Sequence, residues 1–310
     1  MGAEIRIDAI VLGYGRFKAT TEKCLDSLLP TMNALYFNVV AVDNGSLDDS
    51  AFLLKEYQRK KPFFDVQINE RNLGFAGGMN KAASQSNADW VMLINSDIVF
   101  PSGSIERLIA CLINADAGMD IIAPLTNNAG NGQCVFVPGK STEEIIYNAQ
   151  EIIDNPCGII TPSYRADFCC VVIRTKLWKA LGGLDLSYGR GYYEDFDFSL
   201  RARKLGSECG ICEDSFVYHE GGDSFENSTE NNFSQKSLIK ENKKIFLRRH
   251  PCAELRHRRL DNLHAIKFLE NESVSSLPYR IELAKKDLPK SFFKRFLWKK
   301  RLRKSGVNII

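Results

Sequence analysis

The sequence predicts an α/β fold in which helices cover a mostly parallel central sheet. Two observations lead to this prediction: short apolar runs alternate with stretches of helical periodicity, and each apolar run ends in a polar or glycine-rich turn. Four runs are continuous enough to be strands buried on both faces, as parallel strands usually are. They cover residues 7–12, 39–42, 66–68 and 91–94.

Helices are predicted from the spacing of apolar residues and from end signals. After Thr21 and again after Pro101, apolar residues recur at the i, i+3, i+4 and i+7 positions of one helix face. These residues are Leu25, Leu28, Leu29 and Met32 in the first helix and Ile105, Leu108, Ile109 and Leu112 in the second. Residues 193–205, which stop at Gly206, form a further predicted helix with Glu194 and Asp195 in its first turn.

A chain of 310 residues with 44% hydrophobic residues is long enough for one large domain, or for one domain with an appendage. Its composition is typical of a globular protein and argues against disorder. No apolar stretch approaches the roughly 18 residues needed to span a bilayer, and no apolar signal-peptide core is present, so we expect a soluble, cytoplasmic chain. The nine cysteines are an odd number, and Cys209 and Cys212 form a lone Cys-x-x-Cys pair, so we expect free structural thiols.

The positive charge is concentrated at the C-terminus. Residues 288–310 contain eight basic and no acidic residues, which leaves 33 basic and 38 acidic residues in the rest of the chain. An enzyme of nucleic acids would usually carry positive charge over its main domain, so we expect no nucleic-acid partner. The tail instead indicates an added element that binds a surface.

The residues that follow the predicted strands are candidates for a ligand site, because ligands bind at the carboxyl ends of the strands in such sheets. Gly13 and Gly15 follow the first run, but Lys18 stands where the third glycine of a dinucleotide-binding fingerprint belongs. A phosphate-binding loop ending in Gly-Lys-Ser/Thr is absent as well. Neither of the two common nucleotide motifs fits this sequence.

Six segments occur in the order found in a known enzyme family. They are 39–46 (VVAVDNGS), 72–80 (NLGFAGGMN), 95–97 (NSD), 183–185 (GLD), 193–201 (YEDFDFSLR) and 219–224 (HEGGDS). Over roughly residues 5–225, this ordered set resembles the family 2 inverting glycosyltransferases, which have the nucleotide-sugar-binding GT-A fold. The segment 72–80 has the form common among rhamnosyltransferase-like members. The resemblance implies a GT-A catalytic domain over residues 1–235, and the remaining residues 236–310 are expected to form a C-terminal helical extension.

The resemblance also implies roles for individual residues. Asp195 is implied as the general base because it stands at the family's base position, a choice that local spacing alone does not make. Asp97 and His219 are implied as ligands of Mn²⁺ or Mg²⁺, with Asn95 in place of the first aspartate of the family's Asp-x-Asp motif. The expected donor-binding residues are Asp43, Asn72, Gly74, Phe75, Asn80, Asn95 and Arg248. The expected acceptor-side residues are Glu194 and Asp185.

Some of these assignments keep a structural alternative. Asp43 is expected to accept a hydrogen bond from the ring N–H of uracil or thymine, but it could equally start an Asx turn before Gly45. Arg248 either reaches the diphosphate or lies on an exposed helix end. Asp97 either binds the metal or caps the following helix, and His219 either binds the metal or packs in the core.

The implied reaction is inverting transfer of rhamnose or a hexose from a dTDP- or UDP-sugar to a hydroxyl of a glycan or lipid-linked acceptor. Two other classes compete with it. A sugar-1-phosphate nucleotidyltransferase also has a related sheet and a metal-binding aspartate, and Gly13-Tyr14-Gly15-Arg16 superficially resembles its glycine-rich loop. A non-catalytic carbohydrate- or membrane-binding protein on the same scaffold is suggested by Asn95.

The tail over residues 288–304 predicts a basic amphipathic helix. Its apolar face carries Phe292, Phe293, Phe296 and Leu297, with Trp298 at the margin. Such a helix suits the headgroup region of an anionic membrane, so we expect peripheral attachment at the inner face of the membrane. The alternative is that the helix packs its aromatic residues on the catalytic domain.

Overall fold

The computed structural model describes residues 5–31, 37–221, 235–289 and 298–300. In these ranges nine strands form the central sheet. They are β1 (Ile7–Gly13), β2 (Phe37–Asp43), β3 (Asp65–Ile68), β4 (Trp90–Asn95), β5 (Ile98–Val99), β6 (Met119–Thr126), β7 (Ile160–Ser163), β8 (Cys170–Arg174) and β9 (Glu208–His219). The four predicted strands are confirmed as β1 to β4, each longer than its apolar run by one to three residues.

The strand order is β3-β2-β1-β4-β8-β6-β9-β5, with β7 paired to β9 outside this path. Strands β3, β2, β1 and β4 are mutually parallel, and β6 and β9 run in the same direction as they do. Strands β8, β7 and β5 run the opposite way. The predicted fold class, an α/β sandwich with a mostly parallel sheet, is confirmed.

Helices pack on both faces of this sheet. The described helices are α1 (Thr21–Leu28), α2 (Ser50–Lys60), α3 (Gly74–Ala83), α4 (Ser104–Asn114), α5 (Thr142–Asp154), α6 (Thr175–Leu181), α7 (Glu194–Lys204), α8 (Gln235–Arg249), α9 (Arg258–Leu269) and α10 (Leu277–Lys286). Alternate residues of β1 face opposite layers, because side chains alternate along a strand. Ala9 and Val11 join the core with α1 and α4, whereas Ile10 joins the core with α3 and α6. The helices predicted after Thr21 and Pro101 are confirmed as α1 and α4, but α1 ends at Leu28: Leu29 begins a short 3₁₀ turn, and Met32 lies outside the described residues.

A buried ion pair joins the C-terminal helices to the sheet. Arg280 of α10 and Glu213 of β9 are both fully buried, and Arg280 Nη2 lies 2.6 Å from Glu213 Oε1. Arg280 also donates to the carbonyl of Gly132, and Ser276 donates to Glu213. These partners pair both buried charges, so removing either side chain would leave the other charge unpaired in the interior. The division of the chain at residue 235 stays a prediction.

Trp298 packs against helices α9 and α10. It is 5% exposed and contacts the apolar cluster of Leu263, Ile266 and Ala284. The prediction that Trp298 lies at the margin of a membrane-facing surface is therefore corrected: its indole is covered by helices. Residues 290–297 and 301–310, which carry most of the predicted amphipathic tail, lie outside the described residues. Within the described ranges, no helix is both long enough and apolar enough to cross a membrane.

Two cysteines are not free thiols. Cys111 of α4 and Cys212 of β9 form a disulfide with a Cα–Cα distance of 6.3 Å. The expectation of free thiols is wrong for these two residues, because α4 packs directly on the strand that carries Cys212 although the two cysteines are 101 residues apart in the chain. The other seven cysteines are free, and five of them are buried.

Candidate active site

Two adjoining cavities open at the carboxyl ends of β1, β2 and β4. The inner pocket has a volume of about 140 Å³ and the outer cleft a volume of about 690 Å³. Four residues line both cavities: Phe75, Asn95, Asp97 and Arg190. The arrangement follows the rule that ligands bind where the parallel strands end.

The inner pocket lies between the end of β1 and the start of α3. Its wall includes Tyr14, Asn44, Asn72 and Gly74. The Asn44 amide donates to the carbonyl of Gly74 and accepts from the backbone N–H of Leu73, so it fastens the loop that enters α3. Gly74 has φ +71°, and a Cβ atom there would lie 2.5 Å from the carbonyl oxygen of Gly189. Only glycine allows this close approach of α3 to the loop before α7.

Asp97 and His219 meet at the boundary of the two cavities. The antiparallel pairing of β5 with β9 sets Ile98 opposite His219, and it brings His219 Nε2 to 3.5 Å from Asp97 Oδ2. His219 Nδ1 lies 2.8 Å from the carbonyl oxygen of Asn128 and therefore carries a proton that it donates there. The backbone N–H of Gly221 donates to the same Asp97 oxygen at 3.1 Å.

The charges of this pair depend on each other. Burial by itself would raise the pKa of Asp97, but the hydrogen bond and charge of His219 outweigh it and lower that pKa. Burial by itself would lower the pKa of His219, but Cys169 and the Asp97 carboxylate beside it raise that pKa. Asp97 and His219 therefore form an ion pair, and a metal ion binding there would replace the proton on Nε2.

The Asp97–His219 pair fits a divalent cation whose remaining ligand atoms come from a bound diphosphate and from water. Adjacent positions of an octahedral Mg²⁺ or Mn²⁺ site are about 3 Å apart, close to the separation of the Asp97 and His219 atoms. Among the residues that the structure describes, no group of three or more His, Cys, Asp and Glu side chains could hold a metal ion. Asp97 and His219 would thus supply two ligand atoms, and diphosphate oxygens and water would have to supply the rest.

Two acidic residues at the start of α7 face the outer cleft. The predicted helix is confirmed, with Glu194 and Asp195 as its first two residues. Tyr192 and Tyr193, just before them, have φ +72° and +76°, a left-handed conformation that is strained for bulky residues. Asp195 Oδ1 accepts from the backbone N–H of Phe196 at 2.7 Å, and Oδ2 lies 3.5 Å from Arg165 Nη1.

Burial shifts the pKa values of these two carboxyl groups upward. Burial raises the pKa of Asp195 to about 6; Arg165 opposes this shift and Asp167 adds to it. Burial, together with the charge of Asp195, raises the pKa of Glu194 to about 8. Folding thus raises both pKa values, that of Glu194 more than that of Asp195, and the guanidinium of Arg165 favours the ionised form of Asp195. Two carboxyl groups with separated pKa values can act as a base and as a hydrogen-bond donor at one site.

Four of the expected site residues line neither cavity: Asp43, Asn80, Asp185 and Arg248. Asp43 is buried, and its carboxylate accepts from the backbone N–H groups of Gly45 and Ser46, which is the Asx-turn alternative.

The Asn80 side-chain amide both donates to and accepts from the backbone of Leu184, and both distances are 2.8 Å. Asp185 caps a short 3₁₀ turn and forms an ion pair with Arg249, and Arg248 is exposed on α8. The other expected residues line one cavity or both.

Arg165 is a site residue that the sequence analysis missed. It lies between β7 and β8, where its guanidinium donates to the carbonyl of Gly130 at 3.0 Å and covers the ring of Phe196 at 4.9 Å. These contacts hold its charge beside Asp195. No sequence signal points to it, because a single arginine in a loop has no periodicity or motif. Arg190, which lines both cavities, was missed for the same reason.

Asn242 of α8 fixes the loop that leads into α7. It is 3% exposed, and its side-chain amide donates to the carbonyls of Tyr188, Gly191 and Tyr192 at 2.7, 2.7 and 3.0 Å. The loop it holds includes the strained Tyr192 and ends one residue before Glu194. The sequence could have identified Asn242 by its spacing. It stands four residues before Phe246, so a helix places this polar side chain on the same buried face.

The family model for glycosyl transferase family 2 matches residues 8–181, which is more than half of the chain. The chain belongs to glycosyl transferase family 2. The resemblance seen in the sequence is thereby confirmed, and the family favours glycosyl transfer over the nucleotidyltransferase alternative. This family 2 protein has the GT-A fold.

Curated relatives match only part of their own length. An undecaprenyl-phosphate 4-deoxy-4-formamido-L-arabinose transferase of Pseudomonas savastanoi is 28% identical over 131 residues, which is 42% of this chain and 38% of the relative. An uncharacterised protein of Mycobacterium bovis is 29% identical over 161 residues, 50% of this chain and 57% of the relative. The chain therefore spans less than two thirds of these relatives.

Solved structures match almost the whole family 2 chain. TarS of S. aureus, residues 1–349 in complex with UDP-GlcNAc, aligns with a TM-score of 0.56 and 17% identity over 98% of this chain and 82% of that chain. A mannosyltransferase of Pyrobaculum calidifontis in complex with GDP-Man and Mn²⁺ aligns with a TM-score of 0.53 and 12% identity over 99% of this chain and 77% of that chain. At these identities the likeness shows the fold.

Replacing Asn242 with alanine should lower kcat for sugar transfer about tenfold, because the loop before the α7 carboxyl groups loses hydrogen bonds that each contribute about 1 kcal/mol. The dissociation constant of the donor should change little, since Asn242 touches neither cavity. Initial rates and donor titrations measure the two effects separately. Asn262→Ala is the matched control: its buried amide donates to the carbonyl of Arg280, so it should lose stability without losing kcat. Equal kcat values for both variants would contradict a positioning role of Asn242.

Proposed function

We propose that this glycosyltransferase inverts the anomeric configuration as it moves a sugar from a nucleoside diphosphate onto a hydroxyl group, with Asp195 as the general base. The observation that carries the proposal is that Asp195 and the Asp97–His219 pair line the same cleft, next to a smaller pocket. A donor in the inner pocket would direct its diphosphate at Asp97 and its sugar into the outer cleft. The acceptor would then approach from the side of Asp195.

Each group has a chemical task in this scheme. Asp195 takes the proton of the attacking hydroxyl, and Arg165 beside it favours the ionised base. A bound Mn²⁺ or Mg²⁺ would neutralise charge that develops on the diphosphate leaving group. Asp97 and His219 would hold that ion, and Asn95, a neutral amide at the boundary of the two cavities, leaves the site with one negative charge fewer than an aspartate would. Arg190 lines both cavities and supplies a positive charge there.

The proposed donor is a dTDP- or UDP-sugar, with rhamnose or a hexose as the sugar. The form of the loop that carries Asn72, Gly74 and Phe75 supports rhamnose, and the structural likeness to a protein crystallised with UDP-GlcNAc supports a uridine donor. Asp43 accepts a hydrogen bond from the backbone of Gly45 and so holds the loop at the end of β2. In this proposal that loop contacts the uracil or thymine base of the donor.

A thermal-shift panel with Mn²⁺ tests the donor, because a ligand that binds only the folded state raises the apparent Tm. We expect the largest rise with dTDP-rhamnose or a UDP-hexose and a smaller one with GDP-mannose. The dinucleotide NAD⁺ is a control that should give no rise. A selective rise with GDP-mannose would overturn the donor assignment, and no rise with any nucleotide sugar would contradict the transferase proposal itself.

The proposed acceptor is a glycan or a lipid-linked oligosaccharide, and the tail over residues 288–304 is proposed to bind an anionic membrane surface. Four basic residues that fall largely outside its predicted apolar face are Lys294, Arg295, Lys299 and Arg301. Since each basic residue contributes about 1 kcal/mol at such a surface, changing all four to alanine should weaken binding to phosphatidylglycerol vesicles about 10³-fold. Co-sedimentation at low salt measures this. Four alanine changes at exposed lysines elsewhere (Lys55, Lys60, Lys204 and Lys267) form the charge-matched control. Equal sedimentation of both variants would remove the membrane proposal.

A further inference from the structure

One face of helix α8 forms part of the outer cleft. Gln235, Ile239 and Lys243 stand four residues apart on this helix, so they share a face, and all three line the cleft. Lys243 is exposed and has no hydrogen-bond or ion-pair partner in the ranges that the structure describes. Its neighbour Lys244 forms an ion pair with Glu241 and lines neither cavity. Lys243 is therefore a cation of the cleft that the reaction scheme above does not use.

A second cation of the same cleft, Arg256, is held in place by three neighbours. Its guanidinium lies 4.4 Å from the ring centroid of Tyr164. Its Nε atom is 2.7 Å from Glu254 Oε2, and its Nη1 atom donates to His264 Nδ1 at 3.2 Å. The third nitrogen, Nη2, has no partner in the described part of the chain. Because these contacts already fix the guanidinium, it loses little side-chain freedom when it binds a ligand.

Aromatic rings connect Arg256 to the proposed base. The ring of Tyr164 packs edge-on against that of Phe196, with 5.9 Å between the centroids. Phe196 directly follows Asp195, and the guanidinium of Arg165, which pairs with Asp195, lies over the same Phe196 ring. Arg256 and the base therefore belong to one wall of the cleft, two ring contacts apart. A short saccharide that offers a hydroxyl to Asp195 can extend along this wall to Arg256.

The charges of the cleft cancel only in part. Two ion pairs form within it: Asp97 with His219, and Asp195 with Arg165. The other charged or titratable residues of its lining are Asp167, Arg190, Glu194, Lys243 and Arg256.

The two remaining acidic residues do not offset the remaining cations. The Asp167 carboxylate accepts from two backbone N–H groups, and burial raises the pKa of Glu194 to about 8, a shift that favours its uncharged form. Arg190 also lines the inner pocket, where the donor is proposed to bind. Lys243 and Arg256 are thus the cations on the acceptor side. The partner of Arg256, Glu254, is half exposed and lines neither cavity.

We propose that the acceptor is an acidic saccharide and that Lys243 and Arg256 bind its carboxylate or phosphate group. This inference rests on the proposed function of the same site. The anionic group does not react: a hydroxyl of the same saccharide gives its proton to Asp195 as its oxygen bonds to the anomeric carbon, and the electron pair of the broken glycosidic bond leaves with the nucleoside diphosphate. Guanidinium and ammonium groups form their strongest hydrogen bonds with carboxylate and phosphate oxygens, whereas a neutral saccharide would gain little from two cations.

The test measures initial rates of transfer from the nucleotide sugar selected by thermal shift, with Mn²⁺. The acceptors are mono- and disaccharides of glucose, galactose and mannose, of the matching uronic acids and of the matching 6-phosphates, together with decaprenyl phosphate in detergent. We expect at least one acidic saccharide to have a KM about tenfold below that of its neutral parent, and we expect no transfer to decaprenyl phosphate. The uronic acids and the phosphates show which anion is preferred. The advantage should shrink in about 0.5 M NaCl, because salt screens exposed charges.

Two variants assign this preference to the two cations. Lys243→Glu should raise the KM of the acidic saccharide about tenfold or more, and its kcat and the KM of the neutral parent should stay within about threefold. Since Lys243 is exposed, this change should leave folding intact. Arg256→Gln, with Tm as the check on folding, should raise the same KM about tenfold. Lys244→Glu is the matched control: it makes the same change one residue along α8, outside the cleft, and should keep the preference.

Several results would overturn the inference. They are equal KM values for acidic and neutral saccharides, an unchanged KM in Lys243→Glu, the same loss in Lys244→Glu, and preferred transfer to decaprenyl phosphate, whose own anionic oxygen would attack. No transfer to any acidic saccharide by a protein that hydrolyses its donor would also overturn it, and would leave the transferase proposal standing. A wild-type protein that neither binds nor hydrolyses any nucleotide sugar would overturn both.

Discussion

Asp195→Asn should slow sugar transfer by about 10²–10⁴-fold while donor binding survives, because the amide keeps the size of the carboxylate but cannot take a proton. The structure gives this variant a clear physical setting. One Asp195 oxygen is held by the backbone N–H of Phe196, and the other lies on the side of Arg165 in the outer cleft. Initial rates at saturating donor, together with a donor titration, measure the effect. Normal turnover in Asp195→Asn would refute the proposed role of Asp195. A wild-type product with retained anomeric configuration would refute it as well.

The pH dependence of the same variant provides a second measurement. Burial raises the pKa of Asp195 to about 6, so the rate of transfer by the wild type should rise as the pH passes through this value. This rise of the rate with pH should be missing in Asp195→Asn. A carboxyl group whose pKa is raised by folding binds its proton more tightly in the folded state, so folding stability falls as pH rises from about 4 to about 6. Removing this carboxylate should therefore not lower Tm at neutral pH. Asp154→Asn, an exposed change on α5, is the control and should keep both the rate and its pH profile.

Replacing Asp97 or His219 with alanine should weaken metal-dependent donor binding by at least about 10²-fold, since each variant removes one of the two side chains expected to hold the cation. The side chains lie 3.5 Å apart at the boundary of the cavities, so either loss leaves a single protein ligand. Titration of Mn²⁺ into the protein with UDP present measures binding directly, without relying on turnover.

The matched variant for the metal prediction is Asn95→Asp. Asn95 lines both cavities beside Asp97, so a carboxylate there should tighten Mn²⁺ binding by attraction alone. The opposite signs of the two effects distinguish metal binding from general damage to the fold. Undiminished transfer in excess EDTA would contradict the metal prediction for this chain.

Much of the fold could be predicted because its signals are local. Parallel strands buried on both faces need continuous apolar runs, and β1 and β4 have them. The helix α4 has leucine and isoleucine at one-face spacing, and it buries that face. Both ends of α7 were predicted within one residue. Acidic residues fill the first turn and mark its start, and Gly206 marks its end.

The candidate site was predictable only in part. Asp97, His219, Glu194 and Asp195 lie in ordered segments that resemble the family, and the structure brings all four to one cleft. The roles of Asp43 and Asn80 could not be predicted, because a short polar side chain beside a turn either faces a ligand or binds its own backbone. The structure shows that both bind backbone groups.

The sequence by itself determined the fold class, the positions of the main strands and the order of the family's segments, because these depend on neighbours within a few residues. Only the tertiary structure decided which distant side chains meet. Arg165 reaches Asp195 across 30 residues, Asn242 reaches the loop before α7 across about 50, and Cys111 reaches Cys212 across 101. These contacts depend on how helices and loops pack on the sheet, and so does the burial that raises the pKa values of Glu194 and Asp195.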